Sequence, residues 1–133
     1  MTAKILIVDD DADVRAALSA VLRPSFAVLE APDGEKALSL IAQENPVLVL
    51  LDVSMPGVSG IEVLKKARAQ NPSLRILMLT SHHDIDLAAK ALTLGATEYI
   101  TKPFDAGYIR TEVEFQLRPL HQGTGDPPWR HAP

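Results

Sequence analysis

Short apolar runs alternate with longer stretches of helical period along most of the chain. Five runs predict strands: "ILIV" (5–8), "FAVL" (26–29), "VLVLL" (47–51), "ILML" (76–79) and "EYI" (98–100). The first four runs are almost continuously apolar, which is typical of strands covered on both faces in a parallel sheet. The fifth run is short and less apolar, which favours a place nearer an edge of the sheet.

The stretches between these runs have the apolar spacing of amphipathic helices. In the first stretch, Val14, Leu18, Val21 and Leu22 recur on one helical face. Similar stripes lie within 37–41, 61–67, 85–92 and 109–117. Helix boundaries are marked by Pro24, Asp33 with Gly34, Asn71 with Pro72, and Gly95. Five strands in strict alternation with five helices predict an α/β fold with right-handed crossover connections.

Polar residues with useful chemistry follow four of the five predicted strands. They are Asp9 and Asp10 after the first, Asp52 after the third, Thr80 and Ser81 after the fourth, and Lys102 after the fifth. The second strand ends without such a group, at 30–32. Open α/β sheets bind ligands at the carboxyl ends of their strands. With strand 2 at an edge, we expect the other four ends to meet in one pocket.

The acidic residues of this pocket predict a divalent metal ion. Three carboxylates about 4 Å apart repel one another by roughly 4 kcal/mol per pair at an effective dielectric constant near 20. Mg²⁺ removes that repulsion, and it favours one or two carboxylates together with water and phosphate oxygens. Asp52 can then act as a nucleophile toward phosphorus. Lys102 and Thr80 supply a positive charge and a hydroxyl donor for phosphoryl oxygens.

Plainer roles exist for several of the acidic residues. Asp11 is predicted to be the N-cap of the first helix, a position that aspartate fills well. Asp9 and Asp10 could also serve as charges that stabilise the positive end of that helix. The presence of Asp52 and Lys102 in the same set favours the metal site over this alternative.

Four segments resemble the receiver domain of bacterial two-component response regulators. They are "ILIVDDDADVR", "LVLLDVSMPGVSG", "ILMLTS" and "GATEYITKPF", and the similarity extends from residue 4 to about residue 118. The resemblance implies a flavodoxin-like, doubly wound five-stranded parallel sheet of order 2-1-3-4-5 with five helices. We therefore expect a receiver domain at 1–118 and a flexible tail or truncated linker at 119–133, where four prolines and two glycines fall.

The resemblance implies specific roles for the residues of the predicted metal site. Asp52 would be the phosphoacceptor. Mg²⁺ would bind Asp10 directly and Asp9 through water, with the backbone carbonyl of Ser54 completing the protein ligands. In the family, the positions two residues beyond the phosphoacceptor and two beyond Thr80 tune the lifetime of the acyl phosphate, so the resemblance implies this role for Ser54 and His82.

Further roles concern the phosphoryl group and the response to it. Thr80, Ser81 and Lys102 would bind phosphate, and the Lys102–Pro103 bond is expected to be cis. Thr80 would swing inward on phosphorylation, and Tyr99 would rotate into the space that Thr80 leaves. This movement would reshape the face formed by helix 4, strand 5 and helix 5.

The resemblance therefore predicts a signalling switch rather than a metabolic enzyme. A histidine kinase or phosphotransfer protein would donate the phosphoryl group, and an effector domain or protein target would receive the signal. Autophosphorylation from a donor and slow autodephosphorylation are expected. The alternatives are a magnesium-dependent aspartyl-phosphate phosphatase, which usually needs an acid where Ser54 stands, and a receiver-like interaction module that has lost phosphotransfer.

Composition narrows the function classes. The 133 residues carry a net charge of −4 and no cysteine, which excludes disulfides and thiolate metal sites and argues against direct nucleic-acid binding. No apolar run reaches the ~20 residues of a membrane span, so we expect a cytoplasmic protein. Dimerisation stays undetermined, because the charged residues typical of the family's dimer face are replaced at Thr97, Glu98, Tyr108 and Glu112.

Overall fold

A computed structural model describes residues 3–53, 55, 59–80 and 85–118. The strands are β1 (Lys4–Val8), β2 (Ala27–Ala31), β3 (Leu48–Asp52), β4 (Arg75–Thr80) and β5 (Glu98–Thr101). The helices are α1 (Ala12–Leu22), α2 (Gly34–Glu44), α3 (Gly60–Gln70), α4 (Ile85–Thr93) and α5 (Ala106–Gln116). The alternation predicted from the apolar pattern is confirmed over these residues.

The five strands form one parallel sheet in the order β2-β1-β3-β4-β5. Strands β2 and β5 lie at the edges, as expected, and the predicted flavodoxin-like fold is confirmed. The order reverses between β1 and β3, so their carboxyl ends flank the crevice where ligands bind in sheets of this kind. Asp9 and Asp52 stand at these two ends.

Two apolar layers cover the sheet, one on each face. Alternate strand residues such as Leu6 and Val49 pack with α2, α3 and α4, for example against Val63 and Ala91. Their neighbours along the strands pack on the opposite face with α1 and α5. The second layer includes Ile7, Leu50, Leu18, Ile109 and Val113, all fully buried. Burial on both faces explains why the central strands read as continuous apolar runs.

Short polar side chains fix where the helices begin. The side chain of Asp11 accepts a hydrogen bond from the amide of Asp13 and caps α1, as predicted. Asp33, Ser59 and Asp105 cap α2, α3 and α5 in the same way. Just beyond the C-terminal end of α4, Gly95 has a φ of 112°, a backbone conformation that favours glycine.

All five strands differ by one or two residues from the predicted runs, and β2 and β3 illustrate the cause. Strand β2 runs two residues beyond the expected 26–29, so that Glu30 lies inside it. Strand β3 begins at Leu48 rather than Val47, whose side chain is 39% exposed. Both shifts follow from pairing with β1, because the registers Val8↔Ala31 and Ile5↔Leu48 extend β2 and set the start of β3. Apolar character alone does not report this register.

Among the described residues, no helix is long and apolar enough to cross a membrane. The segment 119–133 lies outside the described residues, so the tail stays a prediction, as does the domain boundary at 118.

Candidate functional site

Three carboxylates meet at the crevice between β1 and β3. Asp9 and Asp10 follow β1, and Asp52 is the last residue of β3. One carboxylate oxygen from each lies within 4.8 Å of the others. Asp9 is fully buried, Asp52 is 6% exposed, and Asp10 faces solvent. The structure thus brings together the three acids that the sequence predicted, with two of them removed from water.

Lys102 supplies the positive charge of this cluster from the end of β5. Its Nζ donates to Oδ2 of Asp9 at 3.0 Å and lies 3.7 Å from Oδ2 of Asp52. Burial opposes the charged form of Lys102, but the hydrogen bond to Asp9 and the charges of Asp52, Asp9 and Asp10 outweigh it. The pKa of Lys102 is therefore raised. The single ammonium group of Lys102 thus interacts electrostatically with all three carboxylates.

The chemistry of this donor set fits Mg²⁺. All three side chains offer hard oxygen ligands, and the exposed Asp10 leaves one side of the cluster open to solvent. Mg²⁺ keeps several of its waters and binds through one or two carboxylates, which such an open cluster permits. Lys102 alone leaves a net negative charge that a divalent cation can neutralise.

Some of the remaining predicted site residues lie within the described part of the chain, and others lie outside it. Thr80 ends β4 and is 1% exposed, and its carbonyl accepts a hydrogen bond from the amide of Lys102. The Lys102–Pro103 peptide bond is cis, as predicted. Tyr99 lies in β5, is half-buried, and packs at the border of the α2–α3–α4 layer. Ser54, Ser81 and His82 lie outside the described residues, so their roles stay predictions.

Gly60, which ends the segment "LVLLDVSMPGVSG" that resembles the family, lies against the backbone of the site. A Cβ atom at this position would collide with the carbonyl oxygen of Asp52 and stand 2.8 Å from the Cα of Val53. The amide of Gly60 donates to the carbonyl of Val53 at 3.1 Å. The first turn of α3 thus packs directly against the backbone that presents Asp52. Only the tertiary structure reveals this contact.

Comparisons with known proteins agree with this geometry. The family model described as "Response regulator receiver domain" matches residues 5–114. The chain belongs to the response regulator receiver domain family. It is 36% identical over 118 residues to the sporulation initiation phosphotransferase F of Bacillus subtilis, covering 88% of this chain and 95% of that protein. It is 40% identical to the B. subtilis transcriptional regulatory protein PhoP, covering 89% of this chain and 50% of PhoP.

Solved structures place the same fold in other receiver domains. The receiver domain of NtrX from Brucella abortus superposes with a TM-score of 0.78 at 33% identity, covering 83% of this chain and 94% of that one. This chain covers only 31% to 50% of the length of several relatives that it matches. Phosphoryl transfer is the function of the family, and the comparisons do not favour the phosphatase or the inactive module.

Two clefts of this receiver domain flank the segment that follows β5. One, of about 490 Å³, separates Val14 and Ala17 of α1 from Pro103 and Phe104, and it reaches Lys102. The other, of about 530 Å³, lies between β5 and the start of α5, and Tyr99 and Tyr108 contribute to its lining. Lys102 is thus connected by a short segment to two separate surface clefts.

Proposed function

We propose that Asp52 accepts a phosphoryl group from the phosphohistidine of a partner histidine kinase or phosphotransfer protein. A carboxylate oxygen of Asp52 attacks phosphorus and forms an acyl phosphate. The P–N bond breaks, its electron pair stays on the imidazole nitrogen, and that nitrogen takes up a proton. The proposal is carried by the convergence of Asp9, Asp10 and Asp52 around Lys102 in a member of this family.

The residues around Asp52 manage the charge of the reaction. Asp9, Asp10 and Asp52 would hold Mg²⁺, and the carbonyl of Ser54 is the further ligand expected from the family. When bound, Mg²⁺ neutralises charge on the carboxylates and the phosphoryl oxygens. Lys102 lies 3.7 Å from Asp52, so a small movement brings its ammonium to an oxygen of the new phosphoryl group. The hydroxyl of Thr80 donates to another.

The added charge drives the switch. An ordinary phosphoester carries roughly 1.5 to 2 negative charges at neutral pH, and the inward movement of Thr80 toward such a group leaves space beside β4. Tyr99, half-buried on the neighbouring strand, can fill that space. The cleft lined by Tyr99 and Tyr108 then changes shape, and an effector domain or protein target reads the change.

The apolar cleft beside α1 supports docking of the donor. Val14, Ala17, Pro103 and Phe104 line it, and Lys102 lies at its edge. A partner helix packed there would place a phosphohistidine next to the acidic site. Hydrolysis later returns the switch to its resting state, when water attacks phosphorus and releases inorganic phosphate from Asp52. We propose a signalling protein of the cytoplasm with these self-catalysed activities, rather than a metabolic enzyme.

The phosphoacceptor is tested by intact mass. Incubated with Mg²⁺ and acetyl phosphate, the protein should gain the mass of one phosphoryl group, and Asp52→Asn should gain none. Asp86→Asn, which neutralises an exposed aspartate of α4, is the matched control and should be modified normally. An adduct that persists in Asp52→Asn contradicts the assignment.

The metal site is tested by thermal stability. Mg²⁺ that binds only the native state raises the melting temperature, by an amount that grows with the logarithm of its concentration relative to its dissociation constant. Asp10→Ala should remove most of this rise, because Asp10 is the solvent-facing carboxylate of the cluster. Asp13→Ala, a nearby exposed acid outside the cluster, should keep it. An unchanged response in Asp10→Ala places the ion elsewhere.

A further inference from the structure

Every polar group of Asp9 is engaged within the protein. Its amide donates to the carbonyl of Ala31 at 3.2 Å, and its Oδ1 accepts from the amide of Asp11 at 2.9 Å. Its Oδ2 accepts from Nζ of Lys102 at 3.0 Å. Its backbone carbonyl accepts from Nη1 of Arg15 at 2.7 Å. Three of these bonds come from the backbone or from Lys102, and the fourth depends on Arg15.

Arg15 is itself held in place by the edge strand. Its Nε donates to Oε1 of Glu30 at 3.3 Å, so one guanidinium connects β2 to the loop between β1 and α1. The side chain of Arg15 is only 18% exposed, and that of Glu30 is 34% exposed. A guanidinium offers a rigid, planar set of donors, so it can hold two acceptors at a fixed distance from each other.

We infer that Arg15, oriented by Glu30, is a positioning residue that fixes the backbone of Asp9 and so holds the acidic pair in the geometry for Mg²⁺. The inference rests on the proposed function for the identity of the ion. Outer groups that orient metal ligands are commonly worth about 10-fold to 100-fold in metal affinity. The second strand, whose end carries no site residue, thereby contributes to the site through Glu30.

The sign of the effect distinguishes positioning from simple electrostatics. Arg15 is a cation next to a site for another cation, so its charge alone weakens Mg²⁺ binding. Removal of that charge would therefore strengthen binding. Loss of positioning has the opposite consequence, because a loosened Asp9 presents its carboxylate and that of Asp10 less accurately. A weaker affinity for Mg²⁺ in a variant that lacks the positive charge indicates positioning.

The chain offers a matched control in Arg23. This residue lies just after the same helix, and its Nη2 is 3.6 Å from Oε2 of the same Glu30, but its side chain is 58% exposed. Its Nε donates a hydrogen bond to Oγ of Ser19 at 2.7 Å. Arg15→Gln and Arg23→Gln thus remove equal charge from the same partner, and only the first removes a bond to Asp9.

The first measurement is the dissociation constant for Mg²⁺ by calorimetry, on the full chain without any phosphodonor. We expect Arg15→Gln to raise it about tenfold or more, and Arg23→Gln to leave it within about twofold of wild type. An unchanged or lower constant in Arg15→Gln overturns the inference, as does an equal rise in both variants. If Arg15→Gln does not fold, Arg15→Lys replaces it, because it keeps the charge but not the planar fork.

The second measurement needs no metal. The amide of Asp11 is bonded to Oδ1 of Asp9, so its hydrogen exchange reports whether the Asp9 side chain keeps its place. Exchange at Asp11 should accelerate in Arg15→Gln and not in Arg23→Gln, and equal exchange in all three proteins overturns the inference. Absence of Mg²⁺ binding by wild type would instead contradict the proposed metal, while the Asp11 exchange would still decide the role of Arg15.

Discussion

Two partly buried cations of this receiver domain have opposite surroundings. Lys102 faces three carboxylates at the carboxyl ends of the strands, and its pKa is raised. Arg68, in the last turn of α3, donates its hydrogen bonds within the described part of the chain to neutral carbonyl groups. It donates to the carbonyl of Gly95 at 3.0 and 2.7 Å and to those of Asn71 and Pro72 at 3.1 and 2.9 Å. Burial lowers the pKa of Arg68.

The difference separates a cation that joins backbone carbonyls from one that lies within the candidate metal site. At Arg68, the positive charge joins carbonyls at the ends of α3 and α4, and a guanidinium has enough donors for all four bonds. At Lys102, the three carboxylates outnumber the one ammonium, and a further cation would neutralise the excess negative charge. The first arrangement is complete within the protein, whereas the second is suited to a metal ion and an incoming phosphoryl group.

A glycine lies beside each of these two sites, Gly60 beside the acidic site and Gly95 beside Arg68. We expect the largest loss of stability when Gly60 is replaced. Gly60→Ala forces a Cβ against the backbone of Asp52 and Val53, and overpacking of this kind costs about 3 kcal/mol. In Gly95→Ala, the new Cβ would lie 3.1 Å from the side chain of Arg68, and alanine would have to adopt a φ of 112°. We expect this strain to lower the free energy of unfolding by about 1.5 kcal/mol. Urea unfolding measures both, and a larger loss in Gly95→Ala would contradict this ranking.

The next largest effect tests whether Arg68 is purely structural. Arg68→Met keeps an apolar stem but leaves the carbonyls of Gly95, Asn71 and Pro72 without this donor, for a loss of about 2 kcal/mol. We expect urea unfolding to show this loss with and without Mg²⁺. Lys66→Met, on an exposed position of the same helix, should change stability little. A loss that depends on Mg²⁺ would link Arg68 to the acidic site.

The smallest expected loss of stability follows from replacing Lys102, and this loss should depend on pH. Lys102→Met should cost about 1 kcal/mol at neutral pH and low salt, because the ammonium no longer offsets Asp9 and Asp52. Since the folded-state pKa of Lys102 is raised above its ordinary value of 10.5, this contribution is fully present below that pH. It is lost as the pH rises through the folded-state pKa.

The measurement compares urea unfolding of wild type and Lys102→Met between pH 7 and pH 11. Their difference in free energy of unfolding should stay constant up to about pH 10 and shrink above it. Lys90→Met, at an exposed position of α4, is the control for loss of a lysine charge. A difference that grows above pH 10 would contradict the raised pKa.

Parts of the site could be predicted because short segments of the sequence identify their residues. Asp9, Asp10, Asp52 and Lys102 each follow an apolar run, and parallel strands bring such positions to one edge of the sheet. The contributions of Glu30 and Gly60 could not be predicted this way. Glu30 reads as the polar end of an edge strand, and its use depends on Arg15 reaching it from α1. Gly60 reads as a turn residue, and its requirement depends on the approach of α3 to β3.

The sequence by itself determined the alternation of strands and helices, the helix caps at Asp11, Asp33 and Gly95, and the residues that meet at the acidic site. These features depend on apolar period and on side chains a few residues apart. Only the tertiary structure decided the register of β2 and β3, the sharing of Lys102 between Asp9 and Asp52, and the placement of Arg15 and Arg68. These depend on distances between residues far apart in the chain, up to 93 positions for Lys102 and Asp9, which no local pattern encodes.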